Sequence, residues 1–236
     1  MSNDYFEFKQ FTVWQSSCAQ KVSTDACIFG AWTARHARPS GSALDIGAGT
    51  GLLMLMVAQL HDVEIDGVEI EPDCFGQLRD NISKSKWADR LHAISGDVKE
   101  MDAPARYDLV MSNPPFYEKQ LNSPNEVRNL AWHSSRLSLE DLISVAAGML
   151  TPAGEFSLIV PYSRKDELLG LALSSRLFPR RSLSVRHTFD HPFARYMVMY
   201  SKKEGDSVNE ILDIKTEEGN YSEDMLQLMG EYYLFL

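Results

Sequence analysis

Four consecutive residues, Asn113-Pro114-Pro115-Phe116, carry the clearest chemical signal in this 236-residue chain. Two prolines remove two backbone donors and stiffen the turn. What remains is a set of acceptors, the Asn113 side-chain oxygen and the Pro114 carbonyl, and both can accept from one NH₂ group. The nitrogen of an aryl amine or amide is a poor nucleophile because its lone pair is delocalised. Holding both of its hydrogens aims that lone pair at an electrophile and favours the charge that develops on nitrogen. Phe116 adds a ring on which a planar base, taken out of its stack, can lie. These four residues are the candidate catalytic set.

Some sixty residues earlier stands a glycine-rich turn, Asp45-Ile46-Gly47-Ala48-Gly49-Thr50-Gly51. Glycines let a backbone turn tightly and approach a ligand with no Cβ in the way, and the N–H groups of a following helix point into the same space. The spacing is Gly-x-Gly-x-Gly, not the Gly-x-Gly-x-x-Gly of dinucleotide binders, and no Lys-Ser or Lys-Thr follows to grip phosphate. Glu69, at the end of the next apolar run, can accept two hydrogen bonds from ribose hydroxyls, which serves NAD and S-adenosylmethionine alike. Asp97, in Ser95-Gly96-Asp97-Val98, can accept from an adenine amine with the Val98 backbone beside it, or can cap a helix. The glycine turn followed by Asn113–Phe116, in this order and at this spacing, points to an S-adenosylmethionine-dependent N-methyltransferase.

The elements that must position these residues follow from the pattern of apolar runs. Ala43–Ile46, Glu64–Glu69, His92–Ser95, Asp108–Ser112, Glu155–Val160, Ser182–His187 and Tyr196–Tyr200 read as strands. Helices are expected over Lys21–Trp32, Gly51–Gln59, Pro72–Ser85, Leu139–Met149 and Lys165–Leu173, with Pro72 in a first turn. The Thr151-Pro152-Ala153-Gly154 run reads as the end of a helix. Strands alternating with helices imply an α/β fold, a mostly parallel sheet covered on both faces. Asn113 then falls at the carboxyl edge of that sheet, where ligands of open α/β sheets bind. One domain over residues 1–236 is expected. It has an N-terminal cap segment (1–40) with an aromatic cluster (Phe6, Phe8, Phe11, Val13, Trp14), a catalytic core (41–203) and an acidic C-terminal tail (204–236) packed on the core.

Composition narrows the class. A hydrophobic fraction of 44% and a charged fraction of 24% suit a soluble globular protein. The apolar run Leu52–Ala58 is too short to span a bilayer, and the N-terminus lacks the basic and apolar regions of a signal peptide. Cys18, Cys27 and Cys74 suggest neither a zinc spacing nor a disulfide framework, so a reduced cytoplasmic protein is expected. His187 and His191 are four apart, but Pro192 makes a shared helical face doubtful; no metal is expected. His133 reads as a packing or substrate-loop residue.

The net charge is −10, but it is unevenly spread. Arg176–Lys203 carries a net of +6, and Glu204–Leu236 a net of −8. A local basic stretch in an acidic chain is either a solvated hairpin or a phosphate-binding patch. On the second reading Arg180, Arg181, Arg186 and Arg195 contact RNA.

With these residues in hand, the chain resembles the class I S-adenosylmethionine-dependent methyltransferases over about residues 20–200. It is further similar to the bacterial tRNA adenine-N6 methyltransferases in Phe8-Lys9-Gln10-Phe11, in Lys21–Trp32 and in the tail Asn220–Leu234. The resemblance implies a Rossmann-like, mostly parallel seven-stranded sheet and S-adenosylmethionine as cofactor. It implies a tRNA substrate, methylated at N6 of the adenosine beside the anticodon of a valine tRNA. It assigns Asp45, Gly47, Gly49, Glu69 and Asn113 to the cofactor, Asp97 and Val98 to its adenine, and Asn113, Pro114, Pro115 and Phe116 to the target base. It puts Lys21, Thr24 and Asp25 near the methionine end. The family commonly has tyrosine where this chain has Phe116; stacking survives that change, a hydroxyl role does not. No membrane or metal partner is implied, and a monomer is assumed.

Other readings use parts of the same machinery. Guanine N2 of ribosomal RNA and a protein glutamine amide each present a planar NH₂; the absence of a large extra recognition domain disfavours both. A nicotinamide dehydrogenase is disfavoured by the glycine spacing and by Asn113–Phe116. A non-catalytic RNA-binding module has no use for an intact Asn113–Phe116.

Overall fold

The computed structural model describes residues 3–115 and 137–235. Phe116 and His133 lie outside the described residues.

Five strands run in parallel: β3 (Ser42–Ile46), β4 (Glu64–Glu69), β5 (Leu91–Ser95), β6 (Tyr107–Ser112) and β7 (Leu150–Pro161). They are joined through α1 (Thr24–His36) ahead of β3, α2 (Leu52–Leu60), α3 (Pro72–Ser83) and α4 (Leu139–Met149). After α5 (Lys165–Ser174), β8 (Phe178–Arg186) and β9 (Arg195–Ser201) follow, and β9 inserts antiparallel between β7 and β8. With β10 (Val208–Asp213), the sheet order is β10-β8-β9-β7-β6-β3-β4-β5. Among the described residues it therefore has eight strands, not the expected seven. The extra one, β10 (Val208–Asp213), comes from the acidic tail and pairs in parallel with β8. Its sequence hides it: it is an edge strand, and of its apolar residues Leu212 is buried while Val208 and Ile211 are exposed. The tail ends in α6 (Glu223–Met229).

Side chains alternate between the two faces of the sheet. Ala43, Ile65, Leu109, Met111 and Ile159 pack under α1, α2 and α6. Leu44, Val68, Val110, Phe156 and Val160 pack under α4 and α5. The run Leu52–Ala58 is apolar on every side of its helix, and all of it is buried, as such a helix must be. β7 begins earlier than the apolar pattern indicates. Thr151–Gly154 does not close a helix but forms a register break in β7, between the pairs Tyr107–Leu150 and Leu109–Glu155.

The aromatic N-terminal segment is a two-stranded ribbon, β1 (Tyr5–Glu7) and β2 (Thr12–Trp14). Phe8 stacks on Phe11 with centroids 4.5 Å apart, and the Lys9 amide donates to the Tyr232 carbonyl at 2.8 Å. The buried Tyr232 hydroxyl donates in turn to the Met56 carbonyl at 3.0 Å, so the apolar C-terminal run is tied to α2.

One face of α3 fixes the following segment. Cys74, Gln77 and Asn81 recur at helical spacing on that face. Asn81 bridges Trp14 and Thr50: its amide nitrogen donates to both carbonyls at 2.8 Å, and its oxygen accepts from the Trp14 amide at 3.0 Å. Gln77 accepts from the Ser17 amide at 3.3 Å. Cys74 forms a disulfide with Cys18, across a separation of 56 residues. This corrects the expectation of three unpaired thiols; residues so far apart meet only because α3 carries the N-terminal segment. The remaining Cys27 is buried, which pushes its thiol pKa up to about 12. No helix among the described residues is long and apolar enough to cross a membrane.

Candidate active site

The glycine turn leaves the end of β3 and enters α2. Gly47 and Gly49 have φ of +73° and +56°, a region that side-chain-bearing residues rarely adopt. Among the described residues, a Cβ on Gly47 would meet nothing within 4 Å, and one on Gly49 only the Cys18 sulfur at 4.0 Å. The turn is therefore held open toward the carboxyl edge, with the Cys18 loop beside it. The Gly47 and Ala48 amides donate to the Val68 carbonyl at 2.9 and 3.0 Å, which anchors the turn to β4.

Glu69 is buried and braces this arrangement. Its carboxylate accepts from the Gly49 amide at 2.8 Å and from the Glu71 amide at 2.9 Å, and its backbone carbonyl accepts from the Gly96 amide at 3.1 Å. A carboxylate offers about four acceptor positions, so two remain for ligand hydroxyls. Replacing Glu69 with alanine is expected to weaken cofactor binding at least tenfold. It should also lower stability by about 1–3 kcal/mol, since the Gly49 amide loses a buried acceptor. Calorimetric titration and thermal melts check both; a melt unchanged from the parent removes the bracing role.

Asp45 is the most unusual group of the site. It is 1% exposed, and among the described residues neither carboxylate oxygen has a hydrogen-bond partner. Burial first, and the neighbouring Glu69 charge second, push its pKa up to about 8. A buried acid without a partner beside an open glycine turn is what a cationic ligand would complement. The residues present thus fit S-adenosylmethionine, whose positive charge Asp45 would face, with Gly47 and Gly49 leaving room and Glu69 offering free acceptor positions.

Asp97 caps the short 3₁₀ turn Val98–Glu100, accepting from the Lys99 amide at 2.9 Å, and its other oxygen lies 3.6 Å from the Lys99 ammonium. Val98 is buried. Asp97 therefore serves the cap, and only its remaining acceptor capacity would be open to a ligand. Lys21 donates to the Gln15 carbonyl, and the Val22 amide donates to the Gln15 side chain at 2.7 Å. Thr24 and Asp25 begin α1, and Asp25 pairs with Arg195 at 2.8 Å.

Asn113 and Pro114 are half-buried at the end of β6, and Pro115 is exposed. The pairing of Asp45 with Met111 sets Asn113 beside the glycine turn. The buried Ser112 hydroxyl locks that register by donating to the Ile46 carbonyl at 2.8 Å. Ser112, Asn81, Gln77 and Cys18 are contributors that sequence reasoning missed. Only the helical spacing of 74, 77 and 81 was there to be found.

The four arginines split between opposite edges of the sheet. Arg186 ends β8, and Arg195 starts β9 opposite Pro161, so both stand at the carboxyl edge with Asn113. Arg181 pairs in register with Met199, toward the amino edge, where Arg180 lies near Glu155. Three of the four meet acids: Arg181 with Glu210 at 2.8 Å, Arg186 with Asp213 at 2.5 Å, and Arg195 with Asp25. The acidic tail, as β10, answers the basic stretch of β8. The His187 and His191 rings are 5.3 Å apart, and His191 is hydrogen-bonded to Thr188 at 2.7 Å. Among the described residues no group of three or more His, Cys, Asp or Glu side chains could hold a metal ion.

A mostly parallel sheet with one antiparallel strand, an open glycine turn ending β3 and Asn-Pro-Pro ending its neighbour define a class I S-adenosylmethionine-dependent methyltransferase. The chain belongs to the methyltransferase small domain family, whose model matches residues 32–167. It is 37% identical over 241 residues to the tRNA1(Val) (adenine(37)-N6)-methyltransferase of Christiangramia forsetii, covering 100% of both chains. It is 35% identical to the protein of the same name from Bacteroides fragilis, covering 99% of each. Among solved structures it is similar in fold to one described as a predicted O-methyltransferase from Agrobacterium tumefaciens. There the TM-score is 0.67 and the identity 17%, with 87% of this chain and 95% of that one covered.

Proposed function

We propose that the protein methylates N6 of an adenosine in tRNA, namely the adenosine at position 37 of tRNA1(Val), the substrate that its full-length relatives' names state. The observation that carries this reading is the lock between Ser112 and Ile46, which sets the Asn113 acceptors beside the glycine turn. S-adenosylmethionine, when bound, supplies an electrophilic methyl group. Asp45 faces its positive charge, Glu69 accepts from its hydroxyls, and Gly47 and Gly49 leave room for it. The Asn113 side-chain oxygen and the Pro114 carbonyl accept from the two hydrogens of the adenine amine. That orients the nitrogen lone pair and stabilises the charge that grows on it during transfer. Phe116 is assigned to stacking on the flipped base, and Lys21 and Thr24 to the methionine end of the cofactor.

A tRNA substrate fits a cytoplasmic enzyme. The test is transfer of tritiated methyl groups to tRNA1(Val), to ribosomal RNA and to protein, followed by nucleoside analysis. Label recovered as N6-methyladenosine at position 37 is expected; label in ribosomal RNA or protein alone overturns the reading.

A further inference from the structure

The carboxyl edge carries a column of planar groups. Lys165 lies over the Tyr162 ring at 5.5 Å. Tyr162 stacks on Phe193 at 4.9 Å. The Arg186 guanidinium lies over Phe193 at 5.0 Å and over Phe189 at 4.7 Å. The column ends on Phe189, which is 65% exposed.

The loop that presents it is braced at several points. The His191 amide donates to the Thr188 carbonyl at 3.0 Å and the Ala194 amide to the Val185 carbonyl at 2.8 Å. The Tyr162 amide donates to the Ala194 carbonyl at 3.0 Å, and the Lys215 amide to the His187 carbonyl at 2.8 Å. Arg186 is held in plane by Asp213. A phenyl ring left mostly exposed on a braced loop gains little from burial; its open face is a surface on which another flat group can lie.

We propose that this column docks unpaired nucleobases of the RNA loop that flank the target adenosine. The proposal rests on the tRNA reading above. Strands β6, β7, β9 and β8 stand side by side. At about 4.8 Å per strand, Arg186 is therefore roughly 14 Å along the edge from Asn113. That is the neighbourhood of the nucleotides adjoining a base bound at Asn113. Aromatic rings interleaved with cations match the π-faces of bases, every one of which can stack on them. Because Arg186 shares its charge with Asp213, and Arg195 with Asp25, the grip comes from stacking more than from phosphate.

The test compares the parent with Phe189→Ala and Phe189→Trp. Anisotropy is read on a labelled anticodon stem-loop of valine tRNA and on a continuous duplex of the same stem, over a salt series. Phe189→Ala should bind the stem-loop roughly tenfold more weakly, as expected for one lost base stack. Its line against salt should run parallel to the parent's, because no phosphate contact is lost. KM for tRNA should rise by a similar factor with kcat within about twofold. Phe189→Trp should match the parent, and duplex binding should be the same for all three. Melting temperatures should not move, since the ring is exposed. If the parent methylates tRNA and Phe189→Ala keeps the parental KM and stem-loop affinity, this inference alone falls. Equal weakening on stem-loop and duplex also overturns it. If the parent transfers no methyl group to tRNA, the inference and the tRNA reading fall together.

Discussion

Replacing Asn113 with alanine is expected to lower methyl transfer on the order of 10²-fold or more while leaving cofactor affinity within about twofold of the parent. The asymmetry follows from position. The proposed cofactor contacts come from the end of β3, the glycine turn and the end of β4, whereas Asn113 ends β6 and is proposed to act on the amine. Its oxygen accepts from a group whose charge grows only as the new bond forms, so its loss falls on the chemical step. Calorimetry with S-adenosylmethionine and single-turnover transfer to tRNA separate the two effects. A variant with near-parental turnover would remove the amine-positioning mechanism. A second variant, Asn113→Asp, keeps the shape and one acceptor; partial rescue relative to alanine is expected.

Asp45 yields the other large effect. Its ordinary pKa of 3.8 is raised to about 8 in the folded protein. Between these values the folded chain holds a proton that the unfolded chain has released. This contribution to stability is fully present below about pH 4 and is lost as pH rises through about 8. A cation bound beside Asp45 favours the ionised form. Cofactor binding below pH 8 should therefore release a proton, and affinity should climb as pH rises toward that value.

Asp45→Asn removes the ionisable group at nearly constant volume. It is expected to weaken S-adenosylmethionine by about 1.5–3 kcal/mol, the worth of a charged interaction. It should also flatten the pH dependence of both affinity and melting temperature. Titrations in buffers of different protonation enthalpy read the released proton directly. Equal proton release by the parent and Asp45→Asn would show that another group carries the linkage.

Much of the site was legible because its signals are local. A positive φ demands glycine, so Gly47-x-Gly49 marks a turn wherever it stands. Two prolines after Asn113 exclude both helix and strand interior, so that motif had to end a strand. Glu69 was found by its place after an apolar run. Its bracing of the Gly49 amide was not, because a carboxylate shows no sign in sequence of which amide it meets.

The chain by itself determined the parallel α/β core, the glycine turn, the acid that ends β4 and the acceptor motif that ends β6. These follow from periodicity and turn chemistry, which act over a few residues. Tertiary structure alone decided what depends on distant partners. It added β10 as an eighth strand and set Glu210 and Asp213 against Arg181 and Arg186, so the basic stretch is answered by the acidic tail. It divided four arginines between opposite edges, a matter of strand direction that no composition count contains. It brought Cys18 to Cys74 and left Asp45 buried without a partner among the described residues, since both outcomes require knowing which segments close over which. Strand order and direction are set by burial of the whole sheet between two layers of helices, and that is a property of the folded chain rather than of any segment within it.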